Sequence, residues 1–279
     1  MKRHLIQNAV LILAFICNSA ISFSQTHFTD SLEIDSLRFI KTRKQMDVLA
    51  VDQFTSAHFS YKNISMPYRL LLPEVESKAI KYPLVITLHN SSRIGTDNQA
   101  QLENLAKIWL QENIRKDFPC FVLAPQFSER SSVYHENEEG LLISNPSTEV
   151  AELSKLIDLI VKQHPNIDQK RIYLIGYSMG GSTVQNLLRY QGKKIAAVVS
   201  IAAVPDFTVP DYLQNCPIWL IHGAMDTENP FAGSVALYKK FQQNPHMRFT
   251  EFTHLNHNNI VIPFLLNKQL PEWLFSWKK

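Results

Sequence analysis

Two kinds of apolar pattern alternate along the chain. Short unbroken apolar runs at 83–89, 121–124, 172–175, 195–202 and 217–222 read as strands buried on both faces. Between them lie longer segments whose apolar residues recur three and four positions apart. The clearest covers 148–163, where Val150, Leu153, Leu156, Ile157 and Ile160 share one helical face. Ser147 stands at its N-cap, Glu149 and Glu152 favour its N-terminus, and Pro165 ends it. Thr96 and Gln99 have capping-box spacing and predict a helix from there to about residue 115. Residues 58–61 and 68–72 read as an antiparallel pair stopped by Pro73, and 248–253 alternates as a last strand. Residues 262–277 form a closing helical region interrupted near Pro271. Residues 126–146 read as a long polar loop. Residues 31–40 have helix-like spacing, which leaves a surface helix and a mobile lead-in both open. Strands alternating with helices imply a mostly parallel sheet with helices on both faces.

Composition narrows this picture little. The 279 residues, 45% of them hydrophobic, suffice for one well-buried domain, and no repeat or low-complexity tract suggests a second. The net charge of +3 comes down to about +1 when Lys2 and Arg3 are left out, and no basic stripe supports nucleic-acid binding. The first residues carry a different signal. Lys2, Arg3 and His4 precede an apolar stretch at 9–16, and Ser22 and Ser24 place small residues ahead of Gln25. That order predicts a secretory signal over 1–24, cleaved on export to a secreted or periplasmic location. Asn18 and Ser19 cut the apolar run short of a membrane span. Cys17 follows Phe15 and Ile16 where a lipidation site wants a small residue. Cys120 and Cys216 remain after cleavage; both begin strands that others separate, so two buried free thiols are expected.

The chemistry centres on Gly176-Tyr177-Ser178-Met179-Gly180-Gly181. A strand run leads into this G-x-S-x-G pentapeptide and a helical pattern at 182–189 leaves it, the setting of a nucleophile elbow. Three of only eight glycines sit here. A serine hydroxyl needs a base to take its proton, and the base needs an acid to fix its tautomer. The chain order nucleophile, acid, base is met by Ser178, Asp226 and His257, each just after a predicted strand, where sheets of this kind bind ligands. Glu228 is the alternative acid and His254 the alternative base, while His89 and His222, ending inner strands, read as supports for the catalytic residues or as structural. The oxyanion hole requires two main-chain N–H groups, expected from Met179 and from Ser91, with Ser92 second to Ser91.

The segments 83–89, 95–98, 124–126, 171–181 and 222–226 resemble the α/β-hydrolase superfamily. Within it they are similar to the polyhydroxybutyrate-depolymerase and feruloyl-esterase-like branch, which also holds secreted predicted peptidases. The resemblance runs from about residue 61 to the C-terminus. It implies an α/β-hydrolase fold, a mostly parallel sheet with helices on both faces and no large cap domain. It divides the chain into a signal at 1–24, a lead-in at 25–56 and a catalytic domain at 57–279. It also favours His257 over His254, from the spacing to Pro271-Glu272-Trp273-Leu274. Two positions depart from that branch: Asn90 stands where glycine is usual, and Ile260 where tryptophan is common. Glycine there would allow a positive φ, which asparagine tolerates next best.

The expected activity is hydrolysis of a small-molecule or polymer-linked carboxylic ester through an acyl-enzyme, with no cofactor and no metal. The oligomeric state is not readable. One rival is a serine peptidase of the prolyl-oligopeptidase type, although fewer than about sixty residues precede the sheet, too few for a gating propeller. The other is a catalytically silent hydrolase fold used for binding. In the loop at 126–146, Tyr134 and His135 are the residues placed to meet a substrate, the alternative being a solvated loop.

Overall fold

The computed structural model describes residues 26–61, 64–77, 79–208 and 215–279. The predicted signal segment lies outside the described residues. In chain order the elements are β1 (Thr26–Asp30), α1 (Ser36–Asp47), β2 (Thr55–Tyr61), β3 (Ile64–Leu71), β4 (Tyr82–Leu88), α2 (Asn104–Lys107) and α3 (Glu112–Asp117). β5 (Phe121–Pro125), β6 (Ser132–Glu136), β7 (Leu142–Pro146), α4 (Thr148–Gln163), β8 (Ile167–Tyr177), α5 (Met179–Gln191) and β9 (Ile195–Ile201) follow. β10 (Ile218–Gly223), α6 (Phe231–Lys240), β11 (Met247–Phe252) and α7 (Gln269–Phe275) complete the chain.

Nine strands form one sheet in the order β1-β11-β10-β9-β8-β4-β5-β3-β2. All neighbours from β1 to β5 are parallel, and β3 and β2 run antiparallel. The unbroken apolar runs explain this, because an inner parallel strand must be apolar on both faces. Successive residues point to opposite faces. Leu84, Ile86, Ile172 and Leu174 pack with Val150, Leu156 and Ile160 of α4 and Val184 and Leu187 of α5. Val85, Tyr173 and Ile175 pack with Met46 of α1, Leu105 of α2, Ile114 of α3 and Leu274 of α7. Each such aliphatic side chain contributes about 1.5–3 kcal/mol of burial. Among the described residues no cap domain covers the carboxyl ends of the strands.

Helix α4 begins and ends as its pattern predicts, with Ser147 Oγ accepting from Glu149 N at 3.3 Å. The expected helix from Thr96 does not form. Asn98 takes a left-handed φ of 55°, which an α-helix excludes, and its side-chain amide donates to Ser56 Oγ and to the carbonyls of Ala57 and Tyr68. Asp97, not Thr96, caps the turn, accepting from Gln99 N and Ala100 N. Helical structure starts only at Asn104 and is broken again at Gln111, whose ψ is 131°. In the closing region only Gln269–Phe275 is α-helical, with Pro271 in its first turn. The segment expected as a polar loop at 126–146 folds into the β6–β7 hairpin.

Residues ahead of 57 join the sheet and the core. β1 adds to the sheet outside β11, where His27 stacks on Phe249 at 4.9 Å and bonds Glu251 at 3.1 Å. α1 packs Met46 into the core, and β2 already begins at Thr55. Cys120 and Cys216 are buried free thiols leading into β5 and β10, with three strands between those two. Burial raises both thiols, that of Cys216 to about 12, so neither is a nucleophile.

Candidate active site

Ser178 sits on the turn between β8 and α5 with φ 58° and ψ −121°, a strained backbone for any residue with a Cβ. The turn is tight enough that its flanking glycines are obligatory. A Cβ at Gly176 would stand 2.2 Å from Gly180 O, and one at Gly180 would stand 2.1 Å from Leu88 O. Both obstacles are backbone, so neither can swing aside. Gly180→Ala is therefore expected to cost several kcal/mol, at the upper end for single substitutions. Urea unfolding checks this, and a change below about 0.5 kcal/mol would contradict it.

The elbow presents Ser178 to two other side chains. Ser178 Oγ lies 2.9 Å from His257 Nε2, and His257 Nδ1 lies 2.7 Å from Asp226 Oδ2. A carboxylate only accepts, so His257 carries its proton on Nδ1 and its Nε2 accepts from the serine. All three residues are buried. The turn after β10 holds Asp226, whose Oδ1 accepts from Glu228 N and Asn229 N, both at 2.9 Å. His222 Nε2 lies 3.2 Å from Asp226 Oδ2 and 3.0 Å from Asn229 O, and its Nδ1 accepts from Ser234 Oγ at 2.7 Å. Burial alone would raise the Asp226 carboxyl. The hydrogen bonds from His222, His257 and Asn229 outweigh it and hold the group well below the usual carboxylate range.

The other residues singled out by sequence fall into place around this row. Glu228, the alternative acid, is exposed and lies on the serine side of the imidazole, 3.8 Å from His257 Nε2. His254 is exposed and takes no part. Tyr134 reaches Ser182 Oγ at 3.0 Å, one turn of α5 beyond Ser178, while His135 is exposed on the hairpin. Ile260 is fully buried core. Sequence reasoning missed Tyr177, whose hydroxyl donates to His257 O at 2.7 Å and fixes the loop that carries the imidazole. His222, read as a supporting or structural residue, touches Asp226. The position of Tyr177 beside the serine was the available signal.

The loop after β4 carries the second expected N–H. Among the described residues neither Ser91 N–H nor Met179 N–H donates a hydrogen bond within the protein. Asn90 does not need the left-handed conformation that a glycine there would permit: its φ is −77°. Its side chain accepts from Ser92 N at 2.8 Å and donates to Glu103 Oε2 at 3.0 Å, which pins the loop from both sides.

His89 anchors the base of that loop. Its Nε2 accepts from Phe127 N at 3.0 Å and its Nδ1 donates to Asn90 O at 2.8 Å. Burial drives its pKa from 6.5 down to about 4, against the pull of the Asn90 bond. The unfolded chain therefore takes up this proton first as the solution acidifies. The stabilisation is complete above pH 6.5 and is lost as pH falls from there towards 4. Urea midpoints measured across that window are expected to fall less steeply for His89→Gln than for the wild type.

Among the described residues no group of three or more His, Cys, Asp or Glu side chains is placed to hold a metal ion, and no helix is long and apolar enough to cross a membrane.

Comparison with known proteins agrees with this architecture. The profile of the phospholipase/carboxylesterase family matches residues 133–262, a span that contains Ser178, Asp226 and His257. A bifunctional acetylxylan esterase/xylanase of Neocallimastix patriciarum is 29% identical over 121 residues, 43% of this chain and 17% of that protein. The crystal structure of a thermostable esterase superposes with a TM-score of 0.72 at 29% identity, covering 82% of this chain and 64% of the other. A ferulic acid esterase of the anaerobic fungus Anaeromyces mucronatus shares the fold at 17% identity and TM-score 0.56, over 75% of this chain and 86% of its own. The chain thus spans about a sixth of its curated relative and under two thirds of the thermostable esterase. The sheet order and these likenesses together give the chain the α/β-hydrolase fold and make it similar to esterases that share it.

Proposed function

We propose that the chain is an exported serine hydrolase of carboxylic esters. The observation that carries this reading is the unbroken hydrogen-bonded row from Ser178 through His257 to Asp226. Ser178 Oγ attacks the ester carbonyl while His257 Nε2 takes its proton. Asp226, held ionised, keeps His257 in the Nδ1–H tautomer and stabilises the imidazolium that forms. The N–H groups of Met179 and Ser91 receive the charge that develops on the carbonyl oxygen. Imidazolium then protonates the departing alcohol. Water, deprotonated by the same imidazole, hydrolyses the acyl-enzyme and regenerates the serine.

Export rests on the basic start at Lys2 and Arg3 followed by the apolar stretch at 9–16. The likeness to esterases favours an ester over a peptide bond. The test is steady-state turnover of p-nitrophenyl acetate alongside a blocked peptide p-nitroanilide. Ester turnover with little or no amide turnover is expected. Preference for the amide would assign the same residues to a peptidase, and inertness to both would return the fold to a binding role.

A further inference from the structure

A cavity of about 400 Å³ opens beside the row of Ser178, His257 and Asp226, on the face of the sheet covered by α1 and α2. Its wall includes Tyr177, which precedes Ser178, Asn258, which follows His257, and Asn90 and Ser92 on either side of Ser91. The volume lies within the range of small-molecule sites. What lines it is unusual in two respects.

First, two residues of its wall each hold a polar atom with no hydrogen-bond partner. Thr87 Oγ1 and Gln101 Oε1 are buried without a hydrogen bond, in residues only 4% and 3% exposed. A buried polar atom left unpaired costs about 1–3 kcal/mol, so such atoms ordinarily find a protein group, a water or a ligand. A hydroxyl and an amide oxygen are both acceptors for the hydroxyls of a polyol.

Second, the wall carries unbalanced positive charge. Arg43 and Lys44 of α1 and Arg93 of the loop after β4 line the cavity, with Glu103 as its one acidic lining residue. Glu103 is already engaged by Arg93 Nε at 3.3 Å and by the backbone and side chain of Asn90. Among the described residues the side chains of Arg43 and Lys44 have neither an ion pair nor a hydrogen bond; Arg43 acts on Glu103 only at longer range, and three cations against one carboxylate leave the wall net positive. Phe39 and Ile40 of α1 complete the wall with apolar surface.

We propose that this cavity is the subsite for a hydroxylated carboxylate carried by the ester substrate, its carboxylate meeting Arg43 and Lys44 and its hydroxyls meeting Thr87 and Gln101. A uronic acid has this chemistry. The proposal rests on the esterase reading above for its link to catalysis. It also gives α1 a task, since this helix supplies Arg43 and Lys44.

The test has two arms. In the first, Ser178→Ala protein is titrated calorimetrically with sodium glucuronate and with glucose. Glucuronate is expected to bind at least about tenfold more tightly than glucose, and Arg43→Gln in that background to weaken glucuronate about tenfold, roughly 1.4 kcal/mol. Lys162→Gln, which removes the same charge from the exposed end of α4, is the control and should leave the affinity where it was. In the second arm, the protein with Ser178 intact is assayed on acetylated glucuronic acid and acetylated glucose. The ratio of kcat/KM is expected to exceed about 10 and to fall towards 1 in Arg43→Gln, chiefly through KM. Equal binding of the two sugars, or an equal effect of Lys162→Gln, would overturn the proposal. Glucuronate binding without turnover of any ester would sink the esterase reading and leave the cavity a site for hydroxylated carboxylates. Hydrolysis of both acetates at one rate with no glucuronate binding would do the reverse.

Discussion

Ser178→Ala should reduce hydrolysis of p-nitrophenyl acetate by about 10⁴-fold or more while leaving the fold intact. The size follows from the arrangement: the serine oxygen supplies the bond to the acyl group, and His257 and Asp226 have nothing to activate without it. What survives is the contribution of the two N–H groups and of substrate binding, which can hold a bound ester for slow attack by water. Stability is expected to change little. The exchange removes one hydroxyl and leaves the same Cβ on the same strained backbone, whose φ is 58°. The comparison therefore separates chemistry from folding. Matched unfolding midpoints with equal rates would remove Ser178 from the reaction.

Asp226→Asn should lower kcat/KM by about 10⁴-fold, and here stability should fall as well. The carboxylate accepts on both oxygens. His257 Nδ1 and His222 Nε2 approach Oδ2, and the N–H groups of Glu228 and Asn229 approach Oδ1. An asparagine has one acceptor and one donor end. Turned one way, its NH₂ faces the two backbone donors; turned the other way, it faces the two histidines. Either orientation leaves buried N–H groups opposed by another donor, which costs about 1–3 kcal/mol. If the NH₂ faces His257, the imidazole shifts to the Nε2–H tautomer and can no longer take the proton of Ser178. A urea-unfolding curve and a pH–rate profile on the variant check both parts. Near-wild-type kcat/KM would mean that Asp226 does not orient the base.

The legibility of these elements in the sequence was uneven, for physical reasons. Runs such as 172–175 announce themselves because an inner parallel strand can be nothing but apolar. The pentapeptide around Ser178 stands out because backbone approaches backbone within the space a Cβ would need at Gly176 and Gly180. Helix α6 left no comparable mark. It buries Gly233, Ser234 and Leu237, so its inner face is made partly of small residues and shows no apolar stripe. A Cβ at Gly233 would stand 2.9 Å from Pro205, which explains why the contact is small and close. The helix expected from Thr96 failed because Asn98 is held by Ser56 and Tyr68, more than 25 residues away, and no local pattern reports such a tether.

The site divides the same way. Ser178, Asp226 and His257 could be named because each follows a strand and because the chain order is restrictive. The hydrogen bonds that give them their properties could not. That His222 supports Asp226 and that Tyr177 holds the His257 loop depend on registers between strands far apart in sequence. The cavity beside the site was invisible for a further reason. Half of its charged wall comes from α1, in a segment whose polar, weakly patterned sequence did not distinguish a packed helix from a loose lead-in. The side chain of Asn90 was legible as a departure from its relatives, but its extended φ was not.

The central claim is that the Ser178 oxygen becomes acylated during turnover. Acid-quenching the protein within its first turnovers of p-nitrophenyl acetate and mapping the adduct by mass spectrometry tests it directly. The account predicts one acetyl group on Ser178, appearing as fast as the first equivalent of p-nitrophenol. Steady hydrolysis with Ser178 unmodified throughout, or with the acetyl group on another residue, would contradict it.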